Sequence, residues 1–265
     1  MYATSYHRAS SADEAVKMMQ ESDNAKFVSG GQTLIPTMKQ RLAAPKDLID
    51  LRHIDAMQGI TVNGTEVTIG AATCHADVAN SKELQAVCPA ICSLAAHIGD
   101  PAVRHMGTLG GSIANNDPAA DYPSAMLALD AKIMTSKRTV DAADFFVGMF
   151  ETALEEDEII TAVSFTAPEK AAYSKYPNPA SRYAMAGVFV AKGSDGVRVA
   201  VTGAGADGVF RHTQMEEALA GNFSPDALVN CEVDAGVMLS DIHGDAAYRA
   251  NLVKVMAKRA VAAAG

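Results

Sequence analysis

Two glycine-rich segments hold the residue types in this chain best suited to chemistry. The first is Phe27-Val-Ser-Gly-Gly-Gln-Thr-Leu34, in which Gly30 and Gly31 sit between a short strand expected at Lys26-Phe-Val28 and a helical spacing that starts at Leu34. Glycines there let the backbone come close to a phosphate, with the free amides of a helix start aimed at it. Ser29, Gln32 and Thr33 add side-chain donors. The same pattern also serves as a plain turn. The second segment, Arg104-His-Met-Gly-Thr-Leu-Gly-Gly-Ser-Ile-Ala-Asn-Asn-Asp117, carries three glycines, Thr108, Ser112 and two asparagines. That is a dense array of donors with little side-chain bulk. Asp121 follows it, able to accept from hydroxyl groups or to cap a helix that Pro123 would open. A long polar loop with a helix cap is the plainer explanation.

Other chemistries fare worse. Gly203-Ala-Gly-Ala-Asp-Gly208 formally matches a nicotinamide dinucleotide fingerprint. Its third glycine precedes Val209-Phe-Arg-His212, which reads as strand or loop where an opening helix is needed, and no βαβ unit follows. The four cysteines (Cys74, Cys88, Cys92, Cys231) have one close pair, Cys88 and Cys92, without metal-ligand partners, so they are expected to be structural thiols. The seven histidines are scattered, and nothing supports a hydrolytic triad or a bound metal.

The elements that would position these segments follow from pattern. The 265 residues allow one large domain or two modest ones, and 49% hydrophobic with 20% charged is an ordinary globular composition. A net charge of −9 argues against nucleic-acid or anionic-membrane binding. No N-terminal apolar region or spanning stretch is present, so the expected location is cytoplasmic. Ser11-Ala-Asp-Glu14 is a capping box before a short helix, and Lys46–Leu51 reads as a strand. Ile60–Val62 and Glu66–Ile69 form a hairpin, with Asn63-Gly64 favouring a type I′ turn. Residues 75–98 are helical with a break at Pro89, and the stretch from Asp100 to Asp121 loses periodicity. Strands are expected at Lys132–Thr135 and Ile159–Phe165, with a helix at Asp144–Ala153 between them. The proline-rich run from Ala167 to Pro179 is the expected domain boundary. Beyond it come a hairpin about Ser194-Asp-Gly196 and helices at Gln214–Ala220, Pro225–Asn230 and Ala246–Ala264.

Taken together, Val28-Ser-Gly-Gly-Gln-Thr-Leu34 and Met106-Gly-Thr-Leu-Gly-Gly-Ser-Ile-Ala-Asn115 resemble the two FAD-contacting motifs of the medium subunits of molybdenum hydroxylases. That group includes aerobic carbon monoxide dehydrogenase and xanthine dehydrogenase. The resemblance extends through Asp100-Pro-x-Val-Arg104, Asp117-Pro-Ala-Ala-Asp-Tyr-Pro-Ser-Ala-Met-Leu-Ala-Leu-Asp-Ala131, Phe145-Phe-x-Gly148, Glu158-Ile-Ile160 and Pro179-Ala-Ser-Arg-Tyr-Ala184. It implies an α+β fold: an FAD-binding domain of the vanillyl-alcohol-oxidase type over residues 1–170, with α/β subdomains at about 1–55 and 56–170, and a C-terminal α+β flavoprotein domain over 175–265. By the same resemblance, the amides around Ser29, Gly30, Gly31, Gln32 and Thr33 and around Thr108, Leu109, Gly110, Gly111 and Ser112 would cradle the FAD diphosphate, and Val28 and Leu34 would bind the cofactor beside them. Asp121 would accept from ribityl or ribose hydroxyls, Ile160 would line the pocket, and Tyr183 would lie against the isoalloxazine. On its own residues, Tyr183 followed by Ala-Met-Ala-Gly-Val reads better as strand-lining core. Ser112 departs from the pattern, standing where asparagine is common.

The function so implied is an electron-transferring oxidoreductase subunit carrying FAD. A large subunit would hold the molybdenum cofactor and a small subunit the [2Fe–2S] centres. Electrons would pass from the [2Fe–2S] subunit through the flavin to an acceptor such as a quinone, a nicotinamide nucleotide or oxygen. A stand-alone flavin oxidase or reductase of the same fold, and a scaffold that has lost FAD, are the alternatives.

Overall fold

The chain builds three sheets in succession plus a small two-stranded hairpin, and the computed structural model describes residues 1–265. The first sheet is parallel, in the order β1-β3-β2. Its elements are β1 (Ser5–Arg8), α1 (Ala12–Glu21), β2 (Ala25–Val28), α2 (Leu34–Lys39) and β3 (Asp47–Asp50). The expected capping box starts α1, with Ser11 Oγ accepting from the Glu14 amide at 3.1 Å. Strand β1 was not expected, because Ser-Tyr-His-Arg has no apolar alternation. Side chains tie this edge strand down: Tyr6 donates to Asp50, and His7 Nε2 lies 2.7 Å from the Asp47 carboxylate.

A second, antiparallel sheet opens with β4 (Ile60–Asn63) and β5 (Glu66–Gly70). Asn63 pairs with Glu66, so the turn residues are Gly64 and Thr65, and Gly64 alone takes a positive φ, +63°. That is the pattern of a type II′ turn, which corrects the expected type I′. Six short helices follow: α3 (His75–Asn80), α4 (Lys82–Val87), α5 (Pro89–Ala96), α6 (Pro101–Met106), α7 (Leu109–Asn115) and α8 (Tyr122–Ala128). Pro89 opens α5 as expected. The supposedly irregular stretch from Asp100 to Asp121 contains α6 and α7, each too short to show a period but each capped. Asp100 accepts from the Val103 amide at 2.9 Å and Thr108 from the Gly111 amide at 3.2 Å.

The sheet is completed by β6 (Lys132–Thr135) and β7 (Thr139–Asp141), then α9 (Ala142–Phe145), β8 (Phe146–Gly148), β9 (Glu151–Thr152) and β10 (Ile160–Thr166), in the order β4-β5-β10-β6-β7. The helix expected at Asp144–Ala153 is therefore wrong beyond Phe145. Buried Asn116, at the end of α7, donates its side-chain amide to the carbonyls of Gly148 and Glu151 and accepts from the Phe150 amide. This tertiary anchor bends Phe-Val-Gly-Met-Phe into the β8–β9 hairpin.

The third sheet runs antiparallel in chain order: β11 (Lys170–Pro177), β12 (Ala184–Gly193), β13 (Gly196–Thr202) and β14 (Phe210–Arg211), followed by α10 (Thr213–Gly221) and α11 (Ala246–Ala264). Strand β11 occupies most of the run expected as the domain boundary, and it pairs along its whole length with β12. The Pro225–Asn230 helix shrinks to a 3₁₀ turn at Pro225–Leu228. Gly203–Gly208 leads into β14, so no helix backs the nicotinamide fingerprint. Strand β12 is buried on both faces, which explains its unbroken apolar run. Phe189 and Ala191 join the core of the first two sheets, while Val188 and Val190 pack in a second core with Val253, Met256 and Ala257 of α11. Cys88, Cys92 and Cys231 are buried free thiols, and burial pushes Cys88 and Cys92 up to about 11. No helix is long and apolar enough to cross a membrane.

Candidate functional site

The two glycine segments meet in space. Gly30 packs against the end of α6 so closely that an added Cβ would stand 2.3 Å from the Met106 carbonyl oxygen and 2.5 Å from Gly107 Cα. Ser29 Oγ and Thr108 Oγ1 share a hydrogen bond of 2.9 Å across the junction. Gly31 takes φ +68°, a left-handed backbone that turns the chain from β2 into α2.

Their amides differ. Those of Ser29, Gly30, Gly31, Gln32, Thr33 and Leu34 donate to no group of the protein, and the first amide to return is Ile35, to the Gly31 carbonyl at 3.1 Å. In the second segment Leu109 donates to Thr73 at 3.1 Å, Gly110 to Ala71 at 2.8 Å and Ser112 to Thr108 at 3.0 Å. Gly111 donates to Thr108 Oγ1, which leaves Thr108 as the one uncommitted amide of Thr108–Ser112. Of the two segments expected to form the cradle, the first leaves its amides open, while the second spends all but that of Thr108 inside the protein. The bare Cα of Gly110 serves packing, since a Cβ would meet Ala71 Cβ at 2.5 Å. Gly111 is exposed, and a Cβ there would meet only Thr108 Oγ1 at 2.9 Å and Ser29 Cβ at 3.8 Å.

A cleft of about 660 Å³ lies over this junction, within the size range of small-molecule and cofactor sites. Val28–Leu34, Thr108, Gly110–Ser112, Asp121, Ile160 and Tyr183 all line it. Leu109 does not; its side chain is fully buried in the core. Ile160 opens β10 and is buried against that core. Tyr183 is 46% exposed, which excludes the strand-core reading. The loop between β11 and β12 projects it: the Tyr183 carbonyl accepts from the Asn178 amide at 2.7 Å, and Arg182 before it takes φ +64°. Partial burial, Asp117 and Asp121 push the Tyr183 phenol up.

Asp121 does not cap α8, because its backbone is helical (φ −76°, ψ −45°) and its carboxylate makes no cap bond. The carboxylate instead accepts from the Tyr173 hydroxyl and from the Lys175 ammonium at 3.0 Å. Burial raises its pKa, with Lys175 and Tyr173 opposing. The segment before it is pinned from β13, where Thr202 Oγ1 donates to the Ala120 carbonyl at 2.6 Å and the Gly203 amide to Pro118 at 2.8 Å.

His75 is among the lining residues that the sequence did not mark. It is buried behind the second segment, where a Cβ on Gly107 would stand 2.6 Å from its Nε2. Desolvation, with Arg104 adding, lowers it to about 4, so the ring is neutral, and its Nδ1 has no partner. No spacing rule marks such a histidine; only the fold brings it to Gly107.

A family model described as "FAD binding domain in molybdopterin dehydrogenase" matches residues 2–168. The chain belongs to this family. Relatives extend the match beyond the FAD-binding domain. The carbon monoxide dehydrogenase medium chain of Hydrogenophaga pseudoflava is 34% identical, covering 98% of this chain and 96% of that one. The nicotine 6-hydroxylase medium subunit of Paenarthrobacter nicotinovorans is 32% identical, covering 99% and 98%. Among solved structures, reconstituted CO dehydrogenase from Oligotropha carboxidovorans superposes with a TM-score of 0.90 at 33% identity, over 100% of this chain and 99% of that one. The α+β architecture is thus that of a molybdopterin-dehydrogenase FAD subunit, including the third sheet and α11, and the chain is an oxidoreductase component.

Proposed function

We propose that this chain is the FAD-carrying electron-transfer subunit of a cytoplasmic molybdenum hydroxylase. It takes electrons from a [2Fe–2S] subunit and delivers them to an external acceptor, beside a large subunit that holds the molybdenum cofactor and selects the substrate. Relatives named for carbon monoxide and for nicotine are 34% and 32% identical, so this chain follows the electron carrier rather than the substrate. A stand-alone flavin oxidase or reductase is not favoured, since these relatives are medium chains matched end to end.

The observation that carries this reading is the run of six uncommitted amides from Ser29 to Leu34 at the floor of the cleft. A diphosphate dianion fits such a nest, because amide donors act locally and an acidic chain can still offer them. In this reading the first segment holds the diphosphate, with the Thr108 amide beside it. Gly111 leaves room, Asp121 accepts from cofactor hydroxyls, Ile160 lines the cleft and Tyr183 covers the ring. Bound FAD supplies a redox centre that takes electrons singly and releases them singly or in pairs. The protein's part is to bind, orient and shield it. We assign residues 1–170 to the FAD-binding domain, with subdomains at about 1–55 and 56–170, and 175–265 to the C-terminal flavoprotein domain.

Purified full-length chain should show the visible absorbance bands of bound flavin and should co-purify with two unlike subunits when the three are expressed together. A folded chain with a flat visible spectrum after incubation with FAD overturns the proposal.

A further inference from the structure

Lys175 lies in the proline-rich run expected as the domain boundary, yet its side chain is only 4% exposed. From β11 the ammonium reaches the Asp121 carboxylate at 3.0 Å and the His97 carbonyl at 3.2 Å. Beside it on the same strand, the Tyr173 hydroxyl donates to Asp121 Oδ1. Asp121 lines the cleft; Lys175 and Tyr173 do not. Replacing a buried ion pair by apolar groups is often neutral or stabilising, so this pair is weakly explained by stability alone.

We propose that Lys175 is a positioning residue for the cofactor: from behind the cleft wall it holds Asp121 as a fixed, ionised acceptor for hydroxyl groups of FAD. This rests on the FAD reading above. A carboxylate has about four acceptor positions, and Lys175 and Tyr173 leave capacity toward the cleft. Without a cation, so deeply buried a carboxylate takes up a proton and ceases to be a charged acceptor. Lys175 is the one cation paired with Asp121. Of the other groups nearby, His97 ends α5, Tyr122 follows on α8, and Asp117 and Tyr183 face the same cleft. Arg104 and Arg182 are spent on the carbonyls of Ile98 and Gly99.

The test is the FAD dissociation constant of the full chain between about pH 6 and about pH 9. Wild type, Lys175→Met, Tyr173→Phe and Asp121→Asn are compared, with circular dichroism to establish folding. Wild type should bind evenly across the range. K175M should bind about tenfold more weakly near neutrality and recover as pH rises and Asp121 ionises. D121N should be weak throughout, with no such recovery. A level K175M profile, at any affinity, overturns the proposal, because a merely structural role gives weakening without pH dependence. If K175M does not fold, Y173F decides: it loses one donor to Asp121 and should show a shallower slope of the same sign, and a level profile overturns the proposal. Wild type that retains FAD beside a level variant overturns this inference alone, while wild type that retains none overturns the cofactor reading and this inference with it.

Discussion

Two turns of similar composition, Ser29–Leu34 and Gly107–Ser112, face each other across one cleft and do different work. The first leaves six successive amides uncommitted. The second commits all but one of Thr108–Ser112 to the Ala71–Thr73 segment and to its own cap. Its glycines also divide: Gly110 is small because Ala71 is close, whereas Gly111 is small where little but the cleft adjoins it. A glycine pair thus signals close approach, and the hydrogen-bond accounting tells approach to a ligand from approach to the protein itself. Breaking the contact between the turns should have the largest effect. Gly30→Val places side-chain atoms where the Met106 carbonyl and Gly107 Cα already stand. It should cost about 3 kcal/mol or more in urea unfolding and abolish FAD retention. Normal flavin occupancy in G30V would show that the junction is not needed for the cofactor.

The second turn, as the one built by packing, should also carry the pH sensitivity. His75 behind Gly107 is lowered from 6.5 to about 4 by burial. The unfolded chain therefore binds the extra proton first as pH falls. Stability should be undiminished above about pH 6.5, decline by about 3 kcal/mol toward pH 4, and show no further loss from this group below that. His75→Phe should flatten this part of the stability–pH curve, and an unchanged slope would place the acid sensitivity elsewhere. The division within the second turn is tested by a pair of variants. Gly110→Ala should destabilise by about 2 kcal/mol through Ala71. Gly111→Ala, in the first turn of α7, should stay within about 1 kcal/mol of wild type yet bind FAD more weakly. Equal stability losses in the two would erase the distinction.

Much of the site was legible because its signals are local. Both glycine segments stand out from composition and order alone, Tyr183 only through the family resemblance, and the helix expected at Ala246–Ala264 is α11 with the same bounds. What could not be read depends on partners distant in sequence. β1 is polar and exists through Asp47 and Asp50 some forty residues on. The β8–β9 hairpin replaces a helical pattern because Asn116 grips it. Lys175 lies within the proline-rich run expected as the domain boundary, and only the pairing of β11 with β12 turns it toward Asp121. The use of the amides in the second turn was equally hidden, since Ala71 and Thr73 reach it from another part of the chain.

The smallest effect should come from the side-chain link between the turns. Thr108 Oγ1 both caps α7, accepting from Gly111 at 3.2 Å, and bridges to Ser29 at 2.9 Å. Thr108→Val keeps the shape and deletes both bonds. Loss of the cap should cost about 1 kcal/mol, and loosening the Ser29 turn should weaken FAD binding by about fivefold. Thr108→Ser restores the hydroxyl and should recover both. If T108V loses stability but binds FAD as wild type does, the cap matters and the bridge does not. The first turn would then hold its open amides through its own backbone, with Gly30 against Met106 as the contact that sets the cleft.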